Sequence, residues 1–89
     1  MNRFEVTNGW IKRIDFPAAD TSTKFEAIKL SAVVRIMSYE TRDNEDRQTY
    51  KIYVETEDKR FEFEYAADTE TTEYGKDLET LQKAIGLTP

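Results

Sequence analysis

Three glutamates, one tyrosine and one arginine have the types and spacing that could do chemistry in this chain. Glu55, Glu62 and Glu64 fall in the stretch TYKIYVETEDKRFEFEY (residues 49–65), with Tyr53 among them and Arg35 upstream. Paired carboxylates act as general acid and base when an apolar pocket raises the pKa of one of them. The alternating pattern puts these glutamates on an outward strand face, and the remaining acids on loops or a helix end, where solvation keeps a carboxyl ordinary. The chain has no histidine and no cysteine. That removes the commonest general base, the usual nucleophile–base pairs and nearly all zinc sites. Neither enzyme activity nor a cofactor is expected.

Other chemistries find little support. Asp43, Glu45 and Asp46 in the run DNED could approach a hard cation, but their spacing misses the EF-hand pattern, its glycine and its distal glutamate. The three glycines are isolated at positions 9, 75 and 86, so there is no phosphate-cradling loop. Trp10, Lys12 and Arg13 interleave an aromatic with basic residues, as single-strand binders do. A net charge of −5 argues against direct nucleic-acid binding, which needs a basic surface to release counterions. Trp10 is expected in the core or at a sheet edge.

The glutamates must be positioned by a hairpin. In residues 49–65, Tyr50, Ile52, Val54 and Thr56 share one face, and Phe61, Phe63 and Tyr65 share the matching face of the partner strand. Centring the turn on Asp58 and Lys59 pairs Thr56 with Phe61, Val54 with Phe63 and Ile52 with Tyr65. A one-residue slip would turn half of these outward. This register sets Glu55 opposite Glu62, a like-charge pair that costs stability. Tyr53 lies on the same outward face, a candidate contact residue ringed by carboxylates. Either Arg35 or Lys51 neutralises that face, the simpler reading, or a partner does.

The remaining elements follow in order. Asn8-Gly9 suits a type I′ turn, because both central residues need positive φ. It pairs Val6 with Ile11 and Glu5 with Lys12. Residues 15–24, with Pro17, form a connector. Residues 25–40, FEAIKLSAVVRIMSYE, fit either a strand or a helix; the β-branched Val33, Val34 and Ile36 favour a strand over about residues 27–39, with a short turn near Ser31. Residues 41–48 lack apolar side chains and read as a solvated loop, the first place to expect disorder. Residues 68–87 form a helix with Tyr74, Leu78, Leu81 and Ile85 in one stripe. Asp68 or Thr69 caps it, Glu70 and Glu73 favour its positive end, and Gly86 and Leu87 close it. Gly75 weakens its first turn.

The expected fold is therefore α+β, an antiparallel sheet of four to five strands with one face covered by a C-terminal helix. At 89 residues the chain makes one small domain, and 12% aromatic content is too high for a disordered acidic tail. There is no apolar run of about 18 residues and no signal-peptide core, so no membrane association and a cytoplasmic location are expected. Acidity accumulates toward the end, with two basic and five acidic groups in residues 66–89.

The order of IKLSAVVRI, YKIYV, FEFEY and ETTEYGKDLETLQKAI resembles small uncharacterised proteins of bacteria and their phages. Some of these look like pleckstrin-homology-type sheets capped by a helix, though the strands evident here are too few for the usual seven. The resemblance implies a small accessory or interaction protein and carries no functional residue. The expected function is an acidic, non-enzymatic interaction module that binds a protein partner or itself, through a sheet edge or the helix-free sheet face. One alternative is a phage-type inhibitor whose acidic face (Tyr53, Glu55, Glu62, Glu64, with Arg35 near) occupies a basic nucleic-acid-binding cleft. Another is a small-ligand binder with a pocket between helix and sheet.

Overall fold

The computed structural model describes residues 3–14 and 25–86. The connector expected at residues 15–24 and the closing Leu87 lie outside them. Six strands and one helix follow in order: β1 (Phe4–Thr7), β2 (Trp10–Arg13), β3 (Ala27–Lys29), β4 (Arg35–Arg42), β5 (Gln48–Glu55), β6 (Arg60–Ala66) and α1 (Thr71–Ala84). The fold is α+β. The single sheet of four to five strands is replaced by two antiparallel three-stranded sheets, ordered β1-β2-β3 and β4-β5-β6.

The split has a local cause. The segment that reads as one strand over residues 27–39 is interrupted by a 3₁₀ turn at Leu30–Ala32, at the Ser31 position where a turn was expected. Leu30 donates its N–H to the Gly9 carbonyl (2.9 Å), and Val34 donates to Glu55 (2.9 Å). The two halves therefore belong to different sheets.

Both hairpins keep the faces that alternation dictates. Asn8 and Gly9 have φ of 50° and 79°, as a type I′ turn requires, and Val6 pairs with Ile11 and Glu5 with Lys12. The β5–β6 hairpin is displaced by two residues from the expected register. Val54 pairs with Phe61, Ile52 with Phe63 and Tyr50 with Tyr65. Thr56 closes the turn: its N–H donates to the Lys59 carbonyl (2.8 Å), and its hydroxyl accepts from the Lys59 N–H (3.0 Å). A shift of two preserves side-chain parity, so every apolar residue still faces inward. The like-charge pair does not form, because Glu55 lies opposite Arg60.

The loop expected over residues 41–48 is shorter. Thr41 and Arg42 belong to β4 and Gln48 to β5, leaving a tight turn around Asp43. Its carboxylate accepts the Glu45 and Arg47 N–H groups, both at 2.9 Å, which hold the carboxyl below the usual range together with the Arg47 guanidinium.

One core joins the sheets. Phe4, Ile11 and Ile28 pack with Ile52, Val54, Phe61, Phe63, Tyr65 and Leu81, and the Phe4 and Phe63 rings lie 5.1 Å apart. The helix begins at Thr71 with Glu70 as its cap residue and without a side-chain cap bond, so neither Asp68 nor Thr69 caps it. Leu81 is its buried anchor; Tyr74 and Leu78 pack at the margin, with Tyr74 stacked on Tyr50 at 4.6 Å. Gly86, at φ 80°, sits just past the helix, where a left-handed residue ends it.

Candidate interaction surface

The outward face of the second sheet carries the glutamates, and it is balanced in charge. Arg35 pairs with Glu55 at 3.0 Å. Lys51 lies 3.6 Å from both Glu62 and Glu64. Both Arg35 and Lys51 therefore neutralise the carboxylates. Counting Arg60, three cations match three carboxylates on this face.

Tyr53 is not the exposed contact residue that the pattern suggests. It is only 6% exposed, covered in part by its neighbours' side chains. Tyr39 on β4, opposite Lys51 and so one diagonal step from Tyr53, donates its hydroxyl to that of Tyr53 (2.7 Å), and the rings lie 5.3 Å apart. The Arg60 guanidinium sits 4.5 Å over the Tyr53 ring, a cation–π contact. The Glu62 carboxylate, then the Tyr39 hydroxyl, push the Tyr53 phenol above its usual range. Reciprocally, Tyr53 and then Lys51 hold the Glu62 carboxyl below its own. The structure thus brings Tyr53, Glu62, Glu64 and Lys51 together, and places the Arg35–Glu55 pair at one end.

A second polar cluster, which sequence reasoning missed, lies under the start of α1. Arg3 is 9% exposed. Its guanidinium pairs with Glu70 at 2.5 Å and Glu73 at 2.6 Å, donates to the Glu64 carbonyl at 3.1 Å and stacks 4.0 Å over the Tyr65 ring. The Tyr65 hydroxyl donates to Asp77 at 2.6 Å. No periodicity marks an arginine next to the N-terminus as such a hub. These acids also correct the expectation that every carboxyl is ordinary. The Ala66 N–H, then Arg3, hold the Glu70 carboxyl below the usual range. Burial holds the Asp77 carboxyl above it.

The two shifts act oppositely on stability. Glu70, with its lowered native pKa, stabilises above its unfolded value, and that contribution is lost as pH falls through the carboxylate range. Asp77, with its raised native pKa, stabilises below its unfolded value, and that contribution is lost as pH rises through the native one. Carboxyls held low (Asp43, Glu62, Glu70 and Glu79) outnumber the one held high, so urea denaturation should show the protein weakening below about pH 4.3, the ordinary glutamate value. Asp77→Asn, which keeps an acceptor for Tyr65, should stabilise at pH 7 and change little at pH 3.

The same sheet has two unlike edges. Ala67 donates to the Gln48 carbonyl (3.2 Å) and Thr56 to that of Lys59. The even-numbered β5 residues therefore turn their backbone groups to β6, and the odd-numbered ones to β4. On β6, the outward carbonyls of Glu62 and Glu64 are occupied by Arg13 (3.2 Å) and Arg3. On β4, the register leaves Ile36, Ser38, Glu40 and Arg42 with N–H and C=O groups directed away from β5. Among the described residues no strand lies beyond β4. Beside it opens a cleft of about 460 Å³ lined by Leu30, Val33, Val34, Ile36 and Ile85, among others.

Among the described residues there is no cluster of three or more carboxylates placed to hold a metal ion, and no helix long and apolar enough to cross a membrane. No protein-family model, no curated protein and no solved structure matches the chain.

Proposed function

We propose that this chain is a small, non-enzymatic interaction module that pairs with a second copy of itself by strand addition along β4. The observation that supports this reading is the contrast between the edges of one sheet. Strands are normally kept from edge pairing by charges, covers or bulges, and here Arg3 and Arg13 occupy β6. Four of the eight residues of β4 turn backbone donors and acceptors outward, and among the described residues no strand covers them; such a row is the basis of recognition by strand addition. Val34, largely exposed just before β4, adds apolar area to that contact. An 89-residue domain also gains stability from association, because a single small core supplies little of its own.

Sedimentation equilibrium tests this directly. The average mass of the wild type should rise with concentration. Glu40→Pro removes an outward N–H while leaving the bonds to β5 in place, as proline is tolerated on edges. That variant should remain folded by circular dichroism and monomeric throughout. A wild type that stays monomeric at every concentration, or a Glu40→Pro variant that associates equally well, would overturn the reading.

A further inference from the structure

The outward face of the first sheet carries an aromatic patch of a different character. Trp10 lies on the central strand β2, neither in the core nor on an edge strand as expected, and is 41% exposed; Phe25 is 66% exposed. Between them is a shallow, mostly apolar cleft of about 380 Å³, lined by Thr7, Asn8, Trp10, Lys12, Phe25 and Ala27. Lys12 holds its ammonium 5.7 Å from the Phe25 ring, and Lys29 holds its own 5.7 Å from the Trp10 ring. That distance is near the limit of a cation–π contact, so the rings remain accessible.

Charge is the second observation. Seven of the twelve described arginines and lysines are committed to carboxylates: Arg3, Arg13, Arg35, Arg42, Arg47, Lys51 and Lys83 close ion pairs. Lys12 faces Glu5 across the ladder, yet among the described residues neither Lys12 nor Lys29 closes an ion pair with a carboxylate. Two uncommitted cations therefore flank an exposed aromatic cleft, in a protein whose net charge is −5.

We infer that this face is a docking surface for an acidic peptide segment of a partner protein, one that inserts a single aromatic or apolar side chain between Trp10 and Phe25 and sets carboxylates against Lys12 and Lys29. A buried aromatic anchor rimmed by complementary charge is how compact interfaces concentrate affinity. A nucleic-acid strand is disfavoured. It carries a phosphate at every step, and the acidic remainder of the protein would repel it beyond the two lysines. A short peptide answers mainly to charges within the screening length, about 8 Å at physiological salt. The surface lies on the opposite sheet from β4, so this inference stands independently of self-association.

Trp10 is the sole tryptophan and reports its own occupancy. The intact protein is titrated with a glutamate-rich peptide bearing one phenylalanine, with the same peptide carrying lysines for glutamates, and with oligothymidylate. The acidic peptide should shift Trp10 emission saturably, and added salt should weaken it. Lys12→Glu combined with Lys29→Glu should weaken binding at least about tenfold, the effect of placing like charges across an interface. Phe25→Ala, at a side chain too exposed to support the fold, should weaken it without altering thermal unfolding. The inference is overturned if the acidic peptide gives no saturable shift, if the lysine peptide binds equally well, if the charge-reversed variant is unaffected, or if oligothymidylate binds more tightly.

Discussion

Arg3→Ala is expected to destabilise the protein by about 2–4 kcal/mol in urea denaturation at neutral pH. Removing one partner from a fully buried ion pair costs about 3–5 kcal/mol, and the expectation is set lower because Glu70 and Glu73 retain some contact with water. The loss has three sources: the Arg3 ion pairs to Glu70 and Glu73, a Glu64 carbonyl left without its arginine donor, and the Tyr65 ring stripped of its cover. Arg3→Lys should recover less than half, since an ammonium cannot reach two carboxylates and a carbonyl with one planar fork. Full recovery by lysine would show that charge alone, without the fork, explains the role. At about 0.05–0.15 kcal/mol per residue, a chain of 89 residues has roughly 4–13 kcal/mol in total, so the loss should be visible as a large fall in the midpoint.

Phe63→Ala is expected to cost still more, about 3–5 kcal/mol, the range for deleting a buried aromatic ring. Phe63 is almost wholly buried. It contacts Phe4 from the first sheet and Phe61 beside it at 6.1 Å, with the Arg13 guanidinium 5.3 Å from its ring. It is therefore one of the core residues through which the two sheets hold one another. Phe63→Leu, which keeps most of the volume, should lose much less. Equal losses from the two variants would mean that the sheets are joined elsewhere.

How much of this was legible in the sequence depended on the range of the interaction involved. The Asn8-Gly9 hairpin was readable because the turn chemistry and the flanking residues lie within a few positions of each other. So was the helix stripe of Tyr74, Leu78 and Leu81. The inward face of β5 and β6 was readable too, since parity alone assigns it. The register was not, because a turn on Asp58 and Lys59 and one on Glu57 and Asp58 satisfy parity equally, and the Thr56 hydroxyl decides between them. The division into two sheets was hidden because the turn expected near Ser31 does not say that Leu30 bonds Gly9 and Val34 bonds Glu55, partners that no local pattern names. Of the candidate site, the neutralisation by Arg35 and Lys51 was foreseen as one of two options. The burial of Tyr53 was not, since it depends on Tyr39 from a strand whose place in the sheet no local pattern gives. The Arg3 hub joins residues more than sixty positions apart, as in its bond to Glu70, and was out of reach.

If copies pair along β4 as proposed, the unlike edges of the second sheet would limit how far they assemble. An edge that accepts a strand at each end of a sheet propagates without bound, which is how fibrils grow. Here one end is stoppered by two guanidinium groups. When β4 of one copy meets β4 of another about a twofold axis, the joined sheet has six strands and ends at both sides in β6. Under the proposed pairing, growth through this sheet would terminate after a single step, and sedimentation would reach the mass of a dimer and no higher.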